Sequence, residues 1–398
     1  ILKWHGYDVT REYYYNDAGR QMRLLGESVY TRYMEILGEE AELPEDGYEG
    51  EYIRDIAQEI FSDHNDSLKD DGENLIFKEK AEETIFAHIR KTLGNVGIEM
   101  DSYVNEKTFY DDGSIDSVVA DLREQGLAYD ADGAVWFKTT KLGKDQDTVL
   151  IKSSGEPTYR LPDIAYHCQK VKRGFDLIVD IFGTDHQATY PDVLAGVEKL
   201  GNKIDHIRVL IHQFVTLKSA GEKVKMSTRK AEYVTLQELI ESVGVDVVRY
   251  FFIMRGMQSH LNFDLELATK ESEENPVYYL QYAHARICNI IKFGKEAGVI
   301  SDHKLDLSLL VELSELRLIK EIIRFPEVAQ SALEILEPQI IANYLQEVAT
   351  SFHKFYTECR VITDDAELTT ARLALVSATR VVLANGLTIL GISRPERM

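Results

Sequence analysis

The chain has 398 residues, 44% of them hydrophobic and 28% charged, which is room for two or three domains and ordinary for a globular protein. Its net charge of −22 argues against a protein that coats nucleic acid indiscriminately, while leaving open a specific RNA partner held by local patches. No apolar run looks long enough to cross a membrane, the start does not resemble a signal peptide, and Cys168, Cys288 and Cys359 lie too far apart for a zinc site and read as reduced thiols.

Tyr7 to Tyr15 is β-branched and aromatic and reads as a strand. Asn16-Asp17-Ala18-Gly19 breaks it, and a helix follows to about Leu37. Glu51 to Asp63 and Asn74 to Val96 carry apolar residues at helical spacing, such as Ile53, Ile56, Ala57 and Ile60. The acidic linker Asp70-Asp71-Gly72-Glu73 separates these two helices. Ser114 opens another helix that ends near Gly126, and Ala134 to Thr140 with Thr148 to Lys152 read as a hairpin. The block 45–152 has no phosphate-binding signature. It reads as an insertion between residues 1–44 and 153–258, the two halves of a nucleotide-binding fold.

From Pro162 a helix leads to a strand over Leu177 to Phe182, which ends at Gly183-Thr184-Asp185-His186. Open α/β sheets bind ligands at the carboxyl ends of their strands, so this turn is a candidate site, although simple turn chemistry gives the same sequence. Ile207 to Leu217 is one strand-like stretch, and Thr235 to Val243 and Asp246 to Arg255 read as helices. From Asn275 onward the pattern is helical, with apolar stripes through Ile341, Leu345, Val348, Phe352 and Phe355 and through Leu375, Val382, Leu383, Leu387 and Leu390. Residues 259–398 are therefore expected to form a helical bundle. This last part is less acidic than the rest, with thirteen basic and eighteen acidic residues from Glu271 to Met398.

The densest chemistry lies in Lys223-Val224-Lys225-Met226-Ser227-Thr228-Arg229-Lys230. Four cations and two hydroxyls on a short loop suit a triphosphate whose leaving pyrophosphate gains charge. A solvated basic turn is the alternative from charge alone. Tyr159 and Asp163 straddle Pro162 at a helix start. A carboxylate there can pair with a guanidinium through two parallel bonds, or can simply favour the helix N-terminus. Tyr278, Tyr279 and Tyr282 on one helix and Tyr356 on another are either core residues or a platform for unpaired bases.

The order Lys225-Met226-Ser227-Thr228-Arg229 resembles the KMSK signature of class I aminoacyl-tRNA synthetases. Tyr13-Tyr14-Tyr15-Asn16-Asp17-Ala18-Gly19, Glu156-Pro157-Thr158-Tyr159, Asp163-Ile164-Ala165-Tyr166-His167, Gly183-Thr184-Asp185-His186 and the ending Arg394-Pro395-Glu396-Arg397-Met398 together resemble the arginyl-tRNA synthetases. The resemblance implies a Rossmann-like α/β catalytic core, incomplete at its N-terminus and carrying an inserted domain, followed by an all-α anticodon-binding bundle. It implies ligation of L-arginine to its tRNA with ATP and Mg²⁺ by a cytoplasmic monomer without a structural metal. In this reading Lys225, Met226, Ser227, Thr228 and Arg229 serve the catalytic loop, Thr228 standing where the final signature lysine is usual. Gly183, Asp185 and His186 would bind ATP, and Tyr159 and Asp163 would bind arginine. Tyr279, Tyr282, Tyr356 and Met398 would bind tRNA. Arg360 stands where some relatives carry an aromatic residue.

One signature of these enzymes, the HIGH tetrapeptide, is missing, and His284-Ala285-Arg286 lies in the wrong half of the chain to replace it. The chain is therefore expected to lack the accessory domain and first nucleotide-binding strand and helix, and to be inactive alone. Another class I synthetase, such as the cysteine enzyme, is a rival that would show zinc-binding cysteines. A non-catalytic RNA-binding protein derived from a synthetase is the rival of another class.

Overall fold

A computed structural model describes residues 1–17, 19–219, 222–223, 234–296 and 305–398. The chain begins with β1 (Glu12–Tyr15), α1 (Gly19–Ile36), α2 (Glu51–His64) and α3 (Leu75–Asn95). The three helices bury Leu25, Val29, Tyr33, Ile53, Ile56, Ile60 and Phe77 against one another as a small core of their own. Ile53, Ile56, Ala57 and Ile60 form one buried stripe of α2, as their spacing predicts. Asn74 caps α3 by accepting from the Ile76 N–H, which fixes where that helix starts.

Next come β2 (Ser102–Asn105), α4 (Lys107–Asp111), α5 (Ser114–Glu124), β3 (Ala128–Ala131), β4 (Ala134–Phe137), β5 (Thr148–Ile151) and α6 (Arg160–Lys172). β2 pairs with β1 in parallel, although 86 residues separate the end of one from the start of the other. β3, β4 and β5 form an antiparallel sheet that packs with α5 and α6 around Leu122, Phe137, Leu150, Leu161 and Ile164.

The chain continues through β6 (Ile178–Gly183), α7 (Tyr190–Lys199), β7 (Ile207–His212), β8 (Val215–Ser219) and β9 (Glu222–Lys223). β6 and β7 pair in parallel. Then follow α8 (Leu236–Val243), α9 (Val245–Ile253), β10 (Leu261–Asp264) and α10 (Leu265–Thr269). β10 pairs with β8 in parallel. Thr235 and Glu238 close a reciprocal capping box at the start of α8.

The remainder is helical: α11 (Pro276–Glu296), α12 (Leu313–Ile323), α13 (Phe325–Ile335), α14 (Gln339–Glu358) and α15 (Ala366–Leu390). Their core is continuous with Leu239, Val248, Phe251 and Phe263, so α8, α9 and β10 are packed onto the bundle. By length and composition α15 could cross a bilayer, contrary to the expectation from the sequence. Its apolarity is instead used inside the bundle, where it packs against α11, α12 and α14. A buried Arg372 on α15 pairs with the fully buried Glu315 of α12 at 2.7 Å. Gly386 lets α15 approach Leu345, since a Cβ there would lie 2.5 Å from Leu345 Cδ2. Gly391 ends α15 at φ 68°, a conformation that suits glycine.

Several strands differ from their sequence-based expectations. The first is confined to Glu12–Tyr15, because only these residues have β2 as a partner. The apolar stretch from Ile207 divides at Gln213, whose N–H bonds to the Met257 carbonyl, and its two strands enter different sheets. β4 ends at Phe137, and Thr139–Leu142 is a 3₁₀ turn. β2, β3 and β10 have four residues each, too few for alternation to stand out.

Candidate active site and RNA-facing pocket

α6 carries the polar groups of a cleft beside the carboxyl end of β6. Asp163, His167 and Lys170 are spaced by four and three residues, so they lie on one helical face. Asp163, His167, Phe182, His186, Tyr190 and Val209 line the cleft. Burial pushes the Asp163 carboxyl up from its ordinary value, against the pull of His167, His186 and Lys170, while Asp180 adds to the rise. Tyr159, one turn earlier, is 62% exposed.

A second carboxylate feels the charge of Asp163. Glu106, directly after β2, is 5% exposed and accepts from Tyr14 Oη at 3.0 Å and Tyr110 Oη at 3.4 Å. Burial raises its carboxyl too, with Asp163 and Asp17 adding to the rise and the two phenols opposing it. Burial also raises the Tyr14 phenol, as do the nearby carboxylates of Glu106 and Asp163. Among the described residues neither Asp163 nor Glu106 has an ion-pair partner. Asp163 disfavours the charge of Glu106, a strain that a cationic ligand would relieve.

The residues around Tyr14 are themselves tied down. Tyr14 stacks on Tyr166 at 4.7 Å between ring centres. Tyr166 Oη donates to Glu12 Oε1 at 2.5 Å, and Arg173 holds both Glu12 oxygens at 2.7 and 2.8 Å. Burial would raise the Glu12 carboxyl, but hydrogen bonds from Arg173, Tyr166 and Ser102 bring it down to about 2. Asp17 is buried and accepts from Asn105 Nδ2 at 3.0 Å and the Lys107 N–H at 2.8 Å, which fixes the exit of β1 against that of β2.

Gly183 ends β6, and Thr184–His186 form a 3₁₀ turn beyond it. The Asp185 carboxylate folds back so far that a Cβ at Gly183 would lie 2.7 Å from it. His186 stacks on Phe182 at 4.9 Å. Asp185 is exposed, and among the described residues its one ion-pair partner is His186, 3.8 Å away. The turn thus presents a carboxylate and an imidazole beside the Asp163 cleft.

At the far end of the chain, α11 and α14 face one another across a cavity of about 770 Å³. Tyr282, Arg286, Phe293, Tyr356, Arg360 and Met398 are among its walls. The Arg286 guanidinium lies 4.5 Å from the Tyr282 ring centre and 4.9 Å from that of Tyr356. Tyr356 and Met398 are 39% and 52% exposed, so their apolar surface is open to a ligand. Tyr279 lines a smaller adjoining recess with His353 and Arg286, its ring 4.7 Å from the imidazole. The tail that ends in Met398 is held by His284 Nδ1, which donates to the Pro395 carbonyl at 2.9 Å, and by the Ser393 N–H, which donates to Asp246 at 2.9 Å.

Residues 1–248 match the family described as tRNA synthetases class I (R), catalytic domain, and residues 280–398 match the DALR anticodon binding domain. The chain is 51% identical over 414 residues to the arginine–tRNA ligase of Salinibacter ruber, covering all of this chain and 74% of that protein. It is 52% identical over 401 residues to that of Desulfotalea psychrophila, covering 100% and 72%. The chain belongs to the arginyl-tRNA synthetase family. A solved chain from Campylobacter jejuni named for arginyl-tRNA synthetase superposes with TM-score 0.88 at 31% identity, covering 100% of this chain and 87% of that one. The Thermus thermophilus arginyl-tRNA synthetase shares the fold with TM-score 0.73 at 20% identity.

As in the class I synthetase family, ATP is the co-substrate, and the chain joins a catalytic domain to an all-helical DALR domain. Lys225, Met226, Ser227, Thr228 and Arg229, with Lys230, lie outside the described residues. Sequence reasoning for this synthetase assigned no role to Glu106, Tyr14 or Arg286. Glu106 lies in a stretch with no recognisable pattern, and only the pairing of β2 with β1 brings it to Asp163. Arg286 was legible in principle, standing four residues after Tyr282 on the same helix.

Proposed function

We propose that this arginine–tRNA ligase selects L-arginine with the carboxylates of Asp163 and Glu106. The supporting observation is that both are raised by burial and neither has a cation paired to it among the described residues. A guanidinium can meet carboxylates through parallel N–H donors, and the exposed Tyr159 would pack against its planar face. Lysine offers one compact ammonium and would leave carboxylate lone pairs unfilled, so the choice rests on the shape of the donor set.

Asp185, His186 and Gly183 would hold the nucleoside of ATP at the end of β6. The cationic loop from Lys225 to Arg229 would meet the phosphates, with Mg²⁺ arriving on the ATP. The arginine carboxylate then attacks the α-phosphorus, the bond to pyrophosphate breaks, and arginyl-adenylate forms. The 3′-terminal ribose hydroxyl of tRNA next attacks the arginyl carbonyl and releases AMP. Positioning and charge stabilisation carry both steps.

The pocket of Tyr282, Tyr356 and Met398, with Tyr279 in the adjoining recess, would take unstacked anticodon bases. The domain ranges read from the sequence, a monomeric state and a cytoplasmic location belong to the same proposal. The test is pyrophosphate exchange into ATP by the full gene product. Exchange that requires arginine and is not supported by lysine is the expected result. Equal exchange with lysine would overturn the carboxylate-fork reading.

A further inference from the structure

The chain ends beside the α11–α14 pocket on a tail with little apolar burial of its own. Ile392 is its last buried residue, and of residues 393–398 all but Pro395 are exposed. Polar contacts therefore hold it. Arg249 of α9 donates to the Leu390 carbonyl from Nε at 3.2 Å and from Nη2 at 3.0 Å. A Cβ at Gly391 would overlap that guanidinium, so the glycine that ends α15 also admits Arg249. Asp246, in the first turn of α9, accepts from the Ser393 N–H at 2.9 Å with one carboxylate oxygen. Its other oxygen accepts from Ser393 Oγ and, at 2.7 Å, from Gln281 Nε2. Gln281 also donates to the Ser393 carbonyl at 3.1 Å, and it stands one residue before Tyr282 on α11.

We propose that Asp246 is a positioning residue for tRNA binding: by fixing Ser393 it sets the tail so that Met398 stands as a wall of the pocket beside Tyr282 and Tyr356. The inference rests on the reading of that pocket as the anticodon site. Met398 follows Ser393 by five residues, with one further anchor between them, where His284 donates to the Pro395 carbonyl. Met398 is 52% exposed, so its own burial does little to hold it. A carboxylate that accepts three donors grips them more firmly than a neutral acceptor would. Without it the tail would keep the contacts of Gln281 and His284, and the cost of ordering its end would fall on binding instead of on folding. Asp246 is not among the walls of the pocket, so its effect on a bound base passes through the tail.

A double-mutant cycle on affinity for the arginine-specific tRNA tests this, using the full gene product with Asp246→Ala, Met398→Ala and both together. Asp246→Ala should weaken binding by about three- to tenfold, no more than Met398→Ala does, and by less than about twofold once Met398 is already alanine. Asp246→Asn keeps an acceptor for the Ser393 N–H and should recover part of the loss. Arginine affinity should stay within about twofold in every variant. Should Asp246→Ala not fold, Ser393→Ala removes the hydroxyl contacts from an exposed residue and carries the same cycle. Losses that multiply in the double variant, unchanged tRNA affinity in Asp246→Ala, or an equal fall in arginine affinity would overturn the proposal and leave Asp246 a structural partner of Ser393. A Met398→Ala protein that binds this tRNA as the parent does would overturn the reading of Met398 as part of the anticodon site.

Discussion

In the α6 cleft the Asp163 and Glu106 carboxyls are pushed up by burial. In the α11–α14 pocket the side chains are half open to water, with an arginine between two tyrosines and an exposed methionine at the rim. The desolvation cost of binding is thus already met by folding at the first site and still to be met at the second. A small cation that must be told from its analogues gains from a site whose dipoles and charges are fixed beforehand. A nucleobase needs a broad π-surface and a cation more than it needs exclusion of water. The scaffolds differ in the same sense. The cleft is assembled from short strands distant in sequence, whereas the pocket stands on two long helices over one continuous core.

The largest expected effect strikes the scaffold of the pocket alone. Arg372→Ala would leave Glu315 buried without its partner and remove the donor to the Arg360 carbonyl beside the pocket. Loss of one partner of a buried pair costs about 3–5 kcal/mol, so the thermal midpoint of the bundle should fall by several degrees. A midpoint within a degree of the parent would show that the pair is not what joins α12 to α15.

Glu106→Gln comes next and sharpens the cleft side. It keeps the acceptor for Tyr14 but removes a charge from the guanidinium site, and should lower arginine affinity by about 2 kcal/mol in a calorimetric titration, with ATP affinity unchanged. Unaltered arginine affinity would make Glu106 a structural partner of Tyr14 and Tyr110.

At the pocket, Tyr282→Ala should weaken binding of the arginine-specific tRNA by about 1–3 kcal/mol in a filter-binding assay, and leave helical circular dichroism intact. Binding should also fall with salt, because phosphate contacts release counterions. Loss of helicity would instead return Tyr282 to a core role.

The smallest effect is on stability against pH. The Glu12 carboxyl is depressed from roughly 4.5 to about 2, chiefly by Arg173 and Tyr166 working against burial. A depressed carboxyl contributes stability that is fully present above its unfolded value and is lost as the pH falls toward the folded one. Glu12→Gln should therefore lower stability by a constant offset above about pH 5 and flatten the curve between about pH 4.5 and 2, so that the two proteins converge at acid pH. A curve parallel to the parent's would remove Glu12 from the acid sensitivity of the fold.

The contrast also explains what the sequence disclosed. Long periodic helices such as α2, α14 and α15 stand out because many apolar positions repeat at one spacing. The tyrosines and Met398 stand on or beside those helices, so their convergence could be anticipated. Four-residue strands carry too little pattern, and β2 found its partner across α1, α2 and α3. Glu106 was invisible for that reason. The contacts of Asp246 were equally invisible, since Gln281 and Ser393 are 35 and 147 residues away along the chain.

The most direct measurement is a crossed one, on the full gene product with Asp163→Asn and Tyr356→Ala made separately. Arginine affinity and tRNA affinity are both determined for each. Asp163→Asn should weaken arginine by about 3 kcal/mol and leave tRNA within about twofold, and Tyr356→Ala should weaken tRNA by about 1–3 kcal/mol and leave arginine unchanged. If either substitution weakened both ligands equally, recognition would not be divided between a buried carboxylate cleft and an exposed aromatic pocket.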